Sequence, residues 1–244
     1  MKKISTHIIL LAMIFIIPST ILSAEKIAAL LKLKGNVLVK QITSKEYTPA
    51  YKGQMLLDGD WIKTGDGDFA AIIFLDGTQL KLSEAAELEL RSERISAKEQ
   101  NTDLFLAEGE LWTKVKKRKR SDFNIATPVS VAAVKGTEFN LNFNDVDKTS
   151  ELFVFEGSVE FQNDLGKILA KEMTYSIASI DKAPKKPKKM KEKTLPDWQN
   201  NIKVDWGFQL IPEKSGRQPV NVPLKVGIQV NDLLKGTVAS NFSE

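Results

Sequence analysis

The sequence predicts an all-β fold: an antiparallel jelly-roll-like sandwich of stacked hairpins, followed by a basic linker and a short strand-containing C-terminal segment. Three observations carry that expectation. Short runs alternate apolar and polar residues, the period of strands with one buried face. Glycines and Asp-Gly pairs punctuate these runs where tight turns would fall. Three segments also resemble one another: IFLDGTQL around Gly77, LFLAEGELW around Gly109 and LFVFEGSVEF around Gly157. Their glycines lie 32 and 48 residues apart. A solenoid would hold one period, so the repeated unit reads as a hairpin in a closed double sheet, which protects its edges.

Residues 1–24 read as a secretory signal peptide. Two lysines precede an uninterrupted apolar run from Ile8 to Ile17, and Ser23-Ala24 supplies small residues at a cleavage site, although Leu22 is large for its place. An uncleaved anchor is the rival reading, but the run falls short of the ~20 residues a bilayer span requires. No stable membrane span is expected after cleavage, and the absence of cysteine removes any lipid-anchored form. The mature chain is expected to begin near Glu25, in the periplasm or another exported cell-envelope space.

A main domain is expected over residues 25–181. In IAALLKLKGNVLVK, Leu31 and Leu33, then Val37 and Val39, suggest two strands joined as a hairpin at Lys34-Gly35-Asn36, with a helix over Lys26 to Leu33 as the competing reading. A turn-rich connection around Pro49 and Gly53 leads to a strand at Trp61-Ile62. Asp58, Asp60, Asp66, Asp68 and Asp76, interleaved with glycines, form the most tempting chemical cluster. They would suit calcium or glycoside hydrolysis. Asp-Gly pairs are, however, also the ordinary chemistry of tight turns, and no twelve-residue loop has the ligand spacing of an EF-hand. No metal or cofactor is expected.

The strongest strand signal is FNIATPVSVAAVKGTEFNLNF, Phe123 to Phe143. Apolar residues recur at Val129, Val131 and Ala133, then at Phe139, Leu141 and Phe143. Pro128 marks a strand entry or edge. Gly136-Thr137 between the runs suggests a turn, bulge or tight crossing.

These residues resemble the FecR domain, in which a TP segment is followed by a GT-x-F strand; here they stand as Thr127, Pro128, Gly136, Thr137, Glu138 and Phe139. The resemblance extends to Leu56–Ser83, Leu104–Trp112 and Leu152–Phe161, and covers roughly residues 30–180. It implies a β-sandwich whose motif residues are structural. The family's namesake regulators have a cytoplasmic segment that handles a sigma factor, then a membrane span, then this domain. Nothing precedes the signal peptide here, so direct sigma-factor control is not expected, and an envelope binding or signalling-accessory role remains.

Composition narrows the chemistry. The only histidine is His7, so the expected mature chain has neither His nor Cys. That excludes histidine acid-base catalysis, cysteine nucleophiles and His/Cys zinc sites. Carboxylate pairs or a Ser-Lys dyad would remain; Ser130 with Lys135 reads as incidental. Residues 25–181 carry 21 basic and 25 acidic residues, whereas Lys182–Lys193 holds seven lysines and one glutamate. The latter stretch, with Pro184 and Pro187, reads as an extended self-repelling linker over 182–194.

A second basic run, Lys114, Lys116, Lys117, Arg118, Lys119 and Arg120, offers an anionic docking patch or a solvated loop. Nucleic acid is not expected, because no recognition motif accompanies the charge. Over 195–244 the apolar alternation from Val220 to Val230 suggests strands that dock on the sandwich or add to a partner's sheet, and the end of the chain reads as frayed. Together these features predict a non-enzymatic exported protein that binds or scaffolds an envelope protein or anionic glycan. The alternative is a carboxylate-dependent enzyme acting on envelope polysaccharide.

Overall fold

The computed structural model describes residues 25–96, 99–117, 122–191, 196 and 198–206. The signal segment and the Val220–Val230 pattern lie outside the described residues. In chain order the strands of the first half are β1 (Lys26–Lys34), β2 (Val37–Lys40), β3 (Thr48–Pro49), β4 (Met55–Leu57), β5 (Trp61–Thr64), β6 (Phe69–Phe74), β7 (Gln79–Leu82), β8 (Glu87–Ser96) and β9 (Glu99–Lys114). The second half adds β10 (Phe123–Thr127), β11 (Ser130–Val134), β12 (Glu138–Asn144), β13 (Thr149–Glu156), β14 (Ser158–Asn163), β15 (Gly166–Lys171), β16 (Thr174–Ser179) and β17 (Lys188–Lys189), and α1 (Trp198–Asn201) follows. The fold is nearly all β and sandwich-like.

Pairing sorts the strands into two layers. The front layer runs β4-β1-β6-β7-β9-β12-β13-β16-β17. The back layer runs β3-β2-β5-β8-β9-β10-β11-β14-β15. β9 belongs to both: Glu99–Glu108 pairs with β8 behind, and Gly109–Lys114 pairs with β12 in front. Leu30, Ile72, Leu111, Phe139 and Val154 of the front layer share one core with Ile62, Leu88, Leu106, Ile125 and Phe161 of the back. Phe74 and Phe123 meet edge to face across it, with ring centroids 6.1 Å apart. Each large side chain so buried stabilises the fold by about 1.5–3 kcal/mol.

Among the described residues every strand pairing is antiparallel except β9 with β10, where Thr102–Phe105 runs beside Phe123–Ala126 in parallel. The chain leaves β9 at its front-layer end and must return to the back layer beside that strand's beginning, so it enters in the same direction. The assembly is not closed; β4 and β17 end the front layer, β3 and β15 the back.

The passages between layers depend on left-handed backbone. Each passage described throughout contains a residue with positive φ, from Gly35 between β1 and β2 to Met173 between β15 and β16. Gly109 shows why. At φ +87 it bends β9 from one layer into the other, and a Cβ there would stand 2.5 Å from Ala86 Cβ and 2.6 Å from Ala86 Cα. Any side chain would collide with the neighbouring corner.

Several expectations therefore change. β1 and β2 form no hairpin at Gly35; they pair in different layers. Of the three similar units only the one at Gly77 is a hairpin, joining β6 to β7. Gly109 lies inside β9, and Gly157 turns β13 of the front layer into β14 of the back. A positive-φ glycine serves a corner as readily as a turn. The inward face of β11 is also shifted by one: Ser130, Ala132 and Val134 are buried, not Val131 and Ala133. SVAAV has apolar residues on both faces, so pairing had to decide. The basic stretch expected as a linker is extended and also bound to the sheet edge: Lys185 N donates to Ile177 O, Met190 N to Met173 O, and β17 pairs with β16.

Candidate functional site

The motif residues stand at two joints. Thr127, Pro128, Val129 and Ser130 make the tight turn between β10 and β11. The Thr127 hydroxyl oxygen accepts from Ser130 N at 3.0 Å and lies 2.9 Å from Ser130 Oγ and 2.7 Å from Ser150 Oγ. Since Ser150 belongs to β13, three buried hydroxyls tie the back layer to the front. Gly136 and Thr137 carry the chain from β11 to β12. Gly136 has φ +68, and a Cβ there would stand 2.5 Å from Lys117 Cβ and 2.9 Å from Lys117 Cα. Thr137 Oγ1 donates to Ser158 O at 2.9 Å, Val115 N donates to Thr137 O at 2.9 Å, and Phe139 enters the core fully buried.

The candidate basic patch is only partly available. Lys114 Nζ lies 2.7 Å from Glu138 and 3.6 Å from Glu156, and the first of these carboxylates holds its pKa above the usual lysine value. Lys116 is anchored through its backbone, its N donating to Thr78 Oγ1, while its stem lies over Gly77. Lys117 packs on Gly136. Arg118, Lys119 and Arg120 lie outside the described residues.

Four of the aspartates accept from separate backbone amides. Asp60 is fully buried, and its two oxygens accept from Ile42 N at 3.0 Å and Leu57 N at 2.9 Å. Burial raises its pKa, those hydrogen bonds lower it, and Asp58 raises it further. Asp58 accepts from Ser92 N, Asp68 from Asn36 N, and Asp76 from both the amide and the hydroxyl of Thr78; Asp66 is exposed at its turn. Such carboxylates satisfy the backbone of turns. Ser130 and Lys135 stand at opposite ends of β11's span, with Lys135 Nζ 3.6 Å from Asp122.

The feature that sequence reasoning missed is the outer face of the front layer. A cross-strand row passes from Lys32 through Ala71, Lys81, Trp112, Asn140 and Phe153 to Tyr175. Lys81 is 8% exposed and Trp112 6%, and Lys81 Nζ lies over the Trp112 ring, 4.8 Å from its centroid. Phe153 and Tyr175 stack at 5.8 Å. Burial of an aromatic and a cation on an outer face requires a cover. Residues 198–206 provide it: Lys81 Nζ donates to Gln199 O at 2.7 Å, Lys32 Nζ to Lys203 O at 2.8 Å, and Trp206 lies 6.5 Å from Trp112, ring to ring. Trp206 also packs against the Ala29 and Ile73 cluster, as Leu31, Met55 and Leu75 do.

The fit of this cover is imperfect. Gln199 Oε1 is buried without a hydrogen-bond partner, whereas Trp198 Nε1 and the Asn140 amide have only the Glu110 carboxylate beside them. An unsatisfied buried oxygen of this kind costs roughly 1–3 kcal/mol. Beside them Glu110 has its pKa raised, first by burial and then by Glu151, against the lowering influence of the Trp198 indole and the Asn140 amide. Lys81 is shifted down by burial, with Glu138 opposing. In sequence, Leu80-Lys81-Leu82 already placed a lysine on the face opposite the core, and Trp112, next to core Leu111, shared that phase; nothing local indicated what covers them.

The fold defines a two-layered all-β module. Within it, the family model described as FecR protein matches residues 60–160, from just before β5 into β14, so the FecR resemblance of this stretch is shown. That span contains β9 and both motif joints. Two crystal structures of a proposed anti-sigma factor from Parabacteroides distasonis, at 1.65 and 2.50 Å resolution, align with 18% and 17% identity. Both give a TM-score of 0.49 and cover 57% of this chain. The aligned part spans 64% and 63% of those chains, under two thirds of their length. No curated protein matches the chain. Among the described residues no helix is long and apolar enough to cross a membrane.

Proposed function

We propose that this protein is a non-enzymatic FecR-type module that binds a protein partner at the cell envelope as a signalling accessory. The observation that carries the reading is the FecR match over residues 60–160, which falls on the layered β core. The aspartates support the non-enzymatic part, because four of the five accept from backbone amides. The leader-like residues 1–24 support export.

The test is crosslinking of the tagged protein in intact cells, followed by capture of the adduct and identification of its partner. One protein captured reproducibly, and retained at high salt, is the expected result. Retention of an anionic glycan alone, abolished by salt, favours the glycan reading. Cleavage of envelope polysaccharide that disappears in a folded Asp58→Asn or Asp76→Asn variant would overturn the non-enzymatic assignment.

A further inference from the structure

Two basic runs far apart in the chain are brought to one end of the sandwich. Lys117 lies against Gly136, the carbonyl of Gly136 lies 3.2 Å from where a Cβ on Gly157 would stand, and the next residue, Ser158, is paired with Lys171 of β15. Thr174 Oγ1 then donates to Lys171 O, and Thr174 is paired with Lys189 of β17. We propose that this end, where the runs around Lys117 and Lys189 meet beside Met173, docks on an anionic phospholipid surface. Such docking is separate from recognition of a protein partner: it fixes where the protein sits.

Charge complementarity carries the choice of surface. Lys116, Lys117, Lys171, Lys188 and Lys189 are exposed and have no ion pair among the described residues. The carboxylates of Glu138 and Glu156 face Lys114, and that of Asp122 faces Lys135; Asp76 accepts from Thr78, and Glu172 is exposed in the corner between β15 and β16. Positive charge is therefore left over. The second run is also held in place, since Lys185 N donates to Ile177 O, β17 pairs with β16, and Met190 N donates to Met173 O. Lysines fixed on a sheet edge meet a charged plane without the ordering cost of a loose linker. Their long stems reach the headgroups.

Met173 separates a lipid surface from other polyanions. It is 50% exposed at the corner between β15 and β16, and its backbone has φ +56. Glycine or asparagine adopts that conformation more readily, so the backbone does not account for a methionine here. An apolar side chain standing among lysines gains from the boundary between headgroups and acyl chains, and gains nothing from a hydrated glycan. Leu169, exposed on the same edge strand as Lys171, adds to the apolar contribution.

The test uses the chain from Glu25, which keeps every residue of the shared core and lacks the apolar leader run. Its flotation is measured with vesicles of equal parts phosphatidylglycerol and phosphatidylcholine. Wild type is expected to float with these and not with phosphatidylcholine alone. Lys116→Gln with Lys117→Gln, and Lys188→Gln with Lys189→Gln, are each expected to weaken binding, roughly fivefold per lysine lost, with Tm unchanged. Met173→Asn suits the left-handed backbone and is expected to keep the fold, checked by circular dichroism, while losing roughly fivefold in affinity, a loss that persists at high salt. Wild type that ignores phosphatidylglycerol overturns the proposal. So does a loss confined to one of the two lysine pairs, since the runs then form no common surface. Met173→Asn that floats as well as wild type, while both are retained on heparin, assigns this end to an anionic glycan and also overturns it.

Discussion

Gly136 concentrates the physics of the layer crossing in one residue. A valine there would need a positive φ that a β-branched side chain resists, and its Cβ would enter the space of Lys117 Cα and Cβ. Gly136→Val is expected to destabilise by more than about 3 kcal/mol, the sum of strain and displacement. Lys135→Ala should cost under about 1 kcal/mol, because it removes one exposed pair with Asp122. Denaturant melts compare the two, and equal midpoints would refute the crossing's importance. Thr127 gives a second residue-scale expectation. Thr127→Val preserves shape but strands the Ser130 and Ser150 hydroxyls, at a cost of about 1–3 kcal/mol. The same melts measure it.

Between the residue and the fold stand the elements, and here the docked 198–206 segment and β9 matter most. Glu110 lies beneath that segment with a raised pKa, so the folded state holds its proton more tightly than the unfolded chain does. The linkage runs accordingly: its contribution is present in acid and is lost as pH rises from the ordinary glutamate range through the raised value. Glu110→Gln is therefore expected to raise Tm near neutrality and to change it little in mild acid. Thermal melts across that range check the sign; a gain confined to acid would contradict it.

At the same scale the sequence showed period-2 strands, and those formed. It did not show which glycines turn a strand back and which carry it into the other layer. Gly77 and Gly109 both follow an apolar run and both have positive φ, yet one closes a hairpin and the other bends a single strand. The difference lies in partners distant along the chain: Leu111 meets Leu82 and Leu141, and no local signal names them.

For the whole molecule, charge and shape make separable claims about binding. Lys114 is engaged by Glu138 and Glu156, so Lys116 and Lys117 are the described members of the basic run whose neutralisation isolates charge from fold. Changing both to Gln should leave Tm within about a degree, since exposed charges contribute little to stability. A protein partner seated by shape should then remain bound, and its retention should fall only modestly with salt. A polyanion would be lost steeply, because exposed charges are screened over ~8 Å at physiological ionic strength. Retention measured across a salt series separates the two.

What the sequence by itself determined is local: the all-β class, the core phase of Phe139, Leu141 and Phe143, the punctuating glycines, and a chemistry without histidine or cysteine in the expected mature chain. Those properties follow from side-chain period, backbone freedom and the presence or absence of reactive groups, all of which are written in neighbouring residues. The aspartate cluster was legible as turn chemistry for the same reason. Only the tertiary structure decided that β9 serves both layers, that Ser130 points inward to meet Thr127 and Ser150, and that residues 198–206 cover Lys81, Trp112 and Asn140. Each of these depends on contacts between residues tens of positions apart, where burial and hydrogen-bond satisfaction are settled by the packed chain and leave no pattern in any short stretch of sequence.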